Sequence, residues 1–251
     1  MRRSALTIVA APMVLAASAH AQVGVIYEQP PATSEGNVSG GYYSNLLSDT
    51  FLYDDFTLGA DALLDELQLW GFGIMYDSSI VITLYEGGGP EGVGPAVASR
   101  TFSEDDIDVV VTDGWVEDVH IWWPEEHATL PIDPPIRLEA GREYWIGVAG
   151  ETDLVWSFRA LDGDLSILYS DASQQDFWDQ NDTDMAFRLV GRPASPADLA
   201  EPYASLDFND VVAFLFAFVS GDLSADLAAP IGVLNFVDVA AFLQAFATGL
   251  P

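Results

Sequence analysis

The chain has 251 residues, no cysteine and a formal charge of −31, from 39 acidic and 8 basic residues with no lysine among them. Without cysteine there is no disulfide framework and no thiol chemistry. A surface this acidic repels nucleic acid and anionic membranes, and no nucleic-acid partner is expected.

The N-terminus reads as an export signal spanning residues 1–21. Arg2 and Arg3 supply positive charge, Ala5 to Ala17 is an apolar run, and Ala19-His20-Ala21 fits a small-x-small cleavage site ahead of Gln22. The run is shorter than the roughly 20 residues a membrane helix needs. Charges interrupt every later apolar stretch, so no membrane span is expected. The product is expected outside the cell or at its surface.

Residues 22–190 read as strands. Short runs rich in β-branched and aromatic residues, such as Leu67–Phe72, Ile80–Tyr85, Tyr144–Val148 and Met185–Leu189, are punctuated by Gly, Pro, Asp and Ser. No amphipathic helix lies between them, so the pattern predicts an antiparallel β-sandwich and a mainly β chain. Asp176, Asp179, Asn181, Asp182 and Asp184 read as a solvated turn, with a structural calcium as the alternative. The segments "Tyr53-Asp54-Asp55-Phe56-Thr57-Leu58", "Val81-Ile82-Thr83-Leu84-Tyr85-Glu86", "Leu138-Glu139-Ala140-Gly141-Arg142-Glu143-Tyr144-Trp145-Ile146" and "Asp184-Met185-Ala186-Phe187-Arg188-Leu189" resemble the jelly-roll-like extracellular modules of exported bacterial proteins. That resemblance covers roughly residues 50–190 and implies location and architecture more than activity.

All seven tryptophans lie between Trp70 and Trp178. Core filling is the first reading; the second is a glycan platform built from Trp122, Trp123 and Trp178, since neighbours on a strand face opposite sides. No catalytic residue is assigned. There is no Gly-x-Ser-x-Gly elbow, and His120 and His127 stand in no metalloprotease spacing. A pair of carboxylates would suffice for a glycosidase, but no pair is singled out among the acids.

Gly191-Arg192-Pro193-Ala194-Ser195-Pro196 reads as a linker, residues 191–196. Beyond it the chain repeats itself at an offset of 28 residues: residues 197–218 and 225–246 align from Ala197 and Ala225 onward. Each copy reads as a loop and then a helix. Asp207 and Asn235 stand at the N-caps, and Gly221 and Gly249 supply the stops. Phe214, Leu215 and Phe218 share one face, as do Phe242, Leu243 and Phe246; these six are expected to form the core of an antiparallel helix pair. The first helix is apolar almost all round. Val212, Phe216, Val219 and Phe236 are therefore expected on a docking surface.

Two loop–helix repeats following an exported module resemble a dockerin, and look most like the degenerate kind called GC-type, in which cysteines flank the pair. Ser195 and Leu250 stand where those cysteines would fall. The resemblance implies a cohesin-like or cell-surface protein partner and half-EF-hand loops that bind calcium. The loops depart from that pattern. With Asp210 at loop position 12, positions 1, 3 and 5 fall on Leu199, Glu201 and Tyr203, and in the second copy on Leu227, Ala229 and Ile231. A calcium loop wants oxygens there. The favoured reading is a loop plugged by Tyr203 and Ile231. If calcium were held, Asp198, Glu201, Asp207, Asp210, Asp226, Asn235 and Asp238 are the residues that could ligate it. The functional expectation is a non-catalytic attachment protein; the alternative is a carbohydrate-binding or polysaccharide-degrading module with the same anchor.

Overall fold

The computed structural model describes residues 23–31, 33–34, 37–38, 41–44, 50–74, 79–89, 92–118, 121–151, 154–157, 167–171, 177–181 and 184–249. The expected export signal lies outside these residues. In chain order the strands are β1 (Gly24–Gln29), β2 (Thr33–Ser34), β3 (Asn37–Val38), β4 (Gly41–Ser44), β5 (Thr50–Thr57), β6 (Ala62–Phe72), β7 (Ser79–Glu86), β8 (Gly88–Gly89) and β9 (Gly92–Val93). They continue with β10 (Ala96–Ser103), β11 (Asp108–Asp118), β12 (Ile121–Leu138), β13 (Glu143–Gly150), β14 (Leu154–Ser157), β15 (Ile167–Asp171), β16 (Phe177–Asn181) and β17 (Phe187–Pro193). Two helices follow, α1 (Phe208–Ser220) and α2 (Phe236–Thr248).

The strands form two main sheets, almost entirely antiparallel. One runs β1-β17-β6-β12-β11-β3-β2, with β14 bridging β6 and β4; the other runs β10-β7-β13-β5-β15-β16. Alternation explains how they meet. On β7, Ile80, Ile82 and Leu84 are buried while their neighbours are half-exposed. On β6, Leu67 and Leu69 turn inward between Glu66, Gln68 and Trp70. The inward rows of both sheets share one core that includes Phe56, Leu69, Ile82, Leu130, Ile146, Trp156 and Phe187. Aromatic rings fill its centre: Phe56 stacks on Tyr144 at 5.6 Å and meets Phe187 edge-on at 5.9 Å.

Prolines shape β12. It pairs with β6 from Glu126 to Pro131, then slips register before resuming at Ile136. Pro134 and Pro135 have no amide to give a ladder, so the strand bulges there. The last strand, β17, continues through Gly191, Arg192 and Pro193, opposite Leu64, Leu63 and Ala62. This corrects the linker boundary: residues 191–193 belong to the sheet. Pro193 is tolerated because it ends the strand, where no amide is required. Gly191 is needed at the accompanying bulge, since a Cβ there would collide with the Leu63 carbonyl.

One buried acid ties the two sheets together. Asp54 on β5 is fully buried; its Oδ2 accepts from Met185 N (2.7 Å) and its Oδ1 from Asp55 N (2.9 Å). The Gln29 amide of β1, in the orientation that satisfies both its atoms, donates to Asp54 Oδ2 and to the Met185 carbonyl and accepts from the Tyr27 hydroxyl. Asp184 is also buried, so it is not part of a solvated turn; Asp176 and Asp182 lie outside the described residues. Burial, followed by the charges of Asp184 and Asp55, pushes the Asp54 carboxyl well above its ordinary range.

The sign of the resulting pH effect follows from linkage. A carboxyl raised in the folded state stabilises fully below the ordinary carboxylate range, and that contribution is lost as pH rises through the raised value. Asp54→Asn keeps an oxygen for the Met185 amide and cannot ionise. Denaturant titrations between about pH 4 and 8 should show wild type losing stability relative to Asp54→Asn as pH rises. The opposite slope would mean that the amide bonds, not burial, govern this carboxyl.

Candidate functional site

The C-terminal repeats are built from the same parts twice. Asp207 caps α1 and accepts from Asn209 N at 2.6 Å; Asn235 caps α2 and accepts from Val237 N at 2.8 Å. Both ends close as capping boxes with Asp210 and Asp238 three residues on. Gly221 takes the left-handed conformation that ends α1 (φ 79°).

Asp210 and Asp238 do more than cap. Asp210 Oδ1 accepts from Leu199 N (2.7 Å) and Ala200 N (2.9 Å), and its Oδ2 from Asp207 N (2.8 Å). Asp238 repeats this with Leu227 N (3.0 Å), Ala228 N (2.9 Å) and Asn235 N (2.7 Å). Both side chains are buried. Each carboxylate gathers the start of its loop onto the first turn of its helix. The amide bonds, that of Asn235 foremost, hold the Asp238 carboxyl below its usual range.

Two more acids complete the loops. Asp198 Oδ2 accepts from Ala204 N (2.7 Å), and Asp226 Oδ2 accepts from Gly232 N. Their other oxygens, Asp198 Oδ1 and Asp226 Oδ1, are buried without a partner among the described residues. Burial raises the Asp198 carboxyl, and the neighbouring Asp210 charge adds to the effect. Glu201 is exposed. Among the seven residues that could ligate calcium, the loop carboxylates bond chiefly to amides, and each loop retains one unpartnered buried oxygen. Calcium takes six to eight oxygens. Among the described residues, no group of three or more His, Cys, Asp or Glu is arranged to hold a metal.

The helices meet through Phe214 and Phe242, whose rings stack at 4.2 Å and 12°. Ala197, Ala217 and Ala225 close around them, with Phe218 and Phe246 half-buried at the flanks. Leu215 and Leu243 stand outside this core: they are 50% and 55% exposed. The expected six-residue core is corrected at these two positions. The packing centred on the Phe214–Phe242 stack does not cover the residue next to each buried phenylalanine. Ile231 is also exposed and plugs no loop, whereas Tyr203 is half-buried against the sheet. Phe216, Val219 and Phe236 are 76%, 84% and 79% exposed, and Val212 is 49% exposed. Phe208, equivalent to Phe236 in the other copy, is 75% exposed and was not anticipated. Its place just after the Asp207 cap was the available signal.

The sandwich contributes two polar clusters. On the outer face of β6, Trp70 is covered by the Arg188 guanidinium (5.1 Å) and the His127 ring (4.6 Å). Arg188 also donates to Gln68 (2.9 Å) and pairs with Glu28. Burial, then Arg188, lowers the His127 pKa and favours the neutral ring. Buried Glu125 accepts from Ser157 Oγ and Thr112 Oγ1, each at 3.1 Å. These groups satisfy one another. Trp70, Trp145 and Trp156 are buried. The side chains of Trp122, Trp123 and Trp178, the expected glycan platform, lie outside the described residues, as does His120.

Arg137, which the alternation of β12 turns away from the core, ties the repeats to the sandwich. Its Nη1 donates to the carbonyls of Ser195 (3.3 Å) and Asp198, and Nη2 pairs with Asp61 at 3.4 Å. No family model matches the chain, and no curated protein sequence is significantly similar to it.

Two outcomes are expected for the repeats. Phe214→Ala should cost about 3–5 kcal/mol, and Leu215→Ala no more than about 0.5 kcal/mol, in urea melts followed by helical circular dichroism. Equal costs would place Leu215 in the core after all. Asp210→Ala strips three amides of one acceptor and should cost more than the ~1 kcal/mol of a single net hydrogen bond, while a chelator leaves the wild-type melt unchanged. A melt that collapses on chelation would assign these carboxylates to a cation.

Proposed function

We propose that this chain is an exported, non-catalytic attachment protein. In this reading a jelly-roll-like sandwich is displayed, and a dockerin-like repeat pair binds a separate protein. The observation that carries it is the apolar face left open on a strongly acidic molecule. Phe208, Phe216, Val219 and Phe236 are exposed on the helix pair and take no part in its core, which is centred on Phe214 and Phe242. Exposed aromatic residues at this density mark interaction surfaces rather than chance.

The partner's chemistry follows from the rim. Asp207 and Asp222 flank the ends of α1, and the whole chain carries −31. The complementary surface is an apolar patch ringed by lysine or arginine, on a protein of the cell surface or of an extracellular assembly. Acidic flanks also discourage a second copy, because like charges would face each other.

The test uses the full chain. Sedimentation should give a monomer, and capture from envelope proteins of the producing cell should retain a defined partner that Phe216→Asp and Phe236→Asp both release. Each change should weaken capture at least about tenfold, the size of an aromatic hot spot. A stable dimer dissociated by Phe216→Asp would assign the face to self-association. Capture unaffected by either change would overturn the proposal.

A further inference from the structure

A cleft of about 500 Å³ opens where the first repeat's loop meets the sandwich. This lies within the roughly 300–1,000 Å³ range of small-molecule sites. Its walls come from three places. The β12 bulge supplies Pro134 and Pro135, the edge strand β10 supplies Val97, Ala98 and Arg100, and the loop supplies Glu201, Pro202 and Tyr203. Arg137 closes the back, with its guanidinium already committed to Asp61 and to two carbonyls.

Arg100 is the unusual member. Arg137, Arg142, Arg188 and Arg192 each pair with a carboxylate. Arg100 has no carboxylate partner among the described residues, in a chain where acids outnumber bases almost fivefold; its one hydrogen bond goes to the Ser99 carbonyl. On β10, Phe102 is buried and Ala98 packs on the core, so Arg100 between them faces the opening between the sheets. Tyr203 stands across the cleft, half-buried, with no hydrogen bond to its hydroxyl among the described residues. A guanidinium with no carboxylate partner among the described residues, facing prolines and a tyrosine, is suited to an anion on a flat body: the fork meets a carboxylate in two parallel bonds, and rings stack on the apolar walls.

We propose that this cleft binds a small ring-bearing carboxylate, with the acid group on Arg100 and the ring against Tyr203 and the prolines. The site is independent of the docking face on the helices. Exposed Glu201 on the rim opposes the ligand's charge and limits its affinity. Two sources share this chemistry, an acidic sugar and an aromatic acid.

Galacturonate and benzoate are the probes, titrated into the full chain by calorimetry and followed by methyl NMR of Val97 and Ala98. At least one should bind with a dissociation constant below about 10 mM, while galactose and benzamide, which lack the charge, should not. Arg100→Gln should weaken binding about tenfold or more, Tyr203→Ala should weaken it several-fold, and Glu201→Gln should tighten it. Galacturonate alone would assign an acidic sugar, benzoate alone an aromatic acid, and both together a site that reads chiefly the carboxylate. An inward charge can also keep an edge strand from pairing with other chains. That role would make Arg100→Gln aggregate and leave wild type without carboxylate affinity. Absence of binding by both acids, or a Glu201→Gln protein that binds no more tightly, would overturn the proposal.

Discussion

A carboxylate taken out of water must be met by donors, and a chain without lysine has few cations to offer. Its answer recurs throughout the structure: buried acids are held by backbone amides and hydroxyls. Asp54 takes the amides of Met185 and Asp55, Glu125 takes two hydroxyls, and Asp210 and Asp238 take three amides each. Such bonds fix backbone rather than side chains. They decide where Met185 passes between the sheets and how each repeat's loop folds onto its helix. The acids are thus the internal ties of a protein that has no disulfide to supply them.

The arginines are used differently. Arg188 spreads over Trp70 and reaches Glu28 and Gln68, binding three neighbouring strands on the outer face. Arg137 joins β12 to the chain leaving the sandwich through the carbonyls of Ser195 and Asp198. The repeats are therefore seated against the sandwich where they begin. Arg100 has no carboxylate partner among the described residues, and it lines one wall of the cleft.

Two repeats with the same hydrogen bonds do not have the same surroundings. In the first loop Glu201, Pro202 and half-buried Tyr203 line the cleft beside the sandwich, while the equivalent Ala229, Pro230 and Ile231 are exposed and line no such cleft among the described residues. The helices diverge in a similar way. Phe208 and Phe236 are equally open, but Phe216 has Gln244 as its counterpart, so the apolar face is wider on α1. Duplication set the internal scaffold, and the two surfaces then separated in role: one loop builds a cleft wall, and one helix carries most of the exposed face.

The sequence by itself determined the element types. Alternation along β6 and β7 dictates half-buried strands, because side chains on a strand must point to opposite faces. The 28-residue offset dictates two equivalent loop–helix units, with Asp207 and Asn235 as caps because their side chains can accept the orphan amides of a first turn. Tertiary structure alone decided which side of each helix is covered. Leu215 follows Phe214 in an apolar run and looks equally fit for a core, yet only the crossing point of α1 and α2 settles that Phe214 stacks on Phe242 while Leu215 remains outside. The same holds for Asp210, whose amide partners Leu199 and Ala200 are brought to it by loop closure, and for Arg100 and Tyr203. Those two lie on segments far apart in sequence, and their shared cleft forms where Arg137 bonds the start of the first repeat beside the β12 bulge.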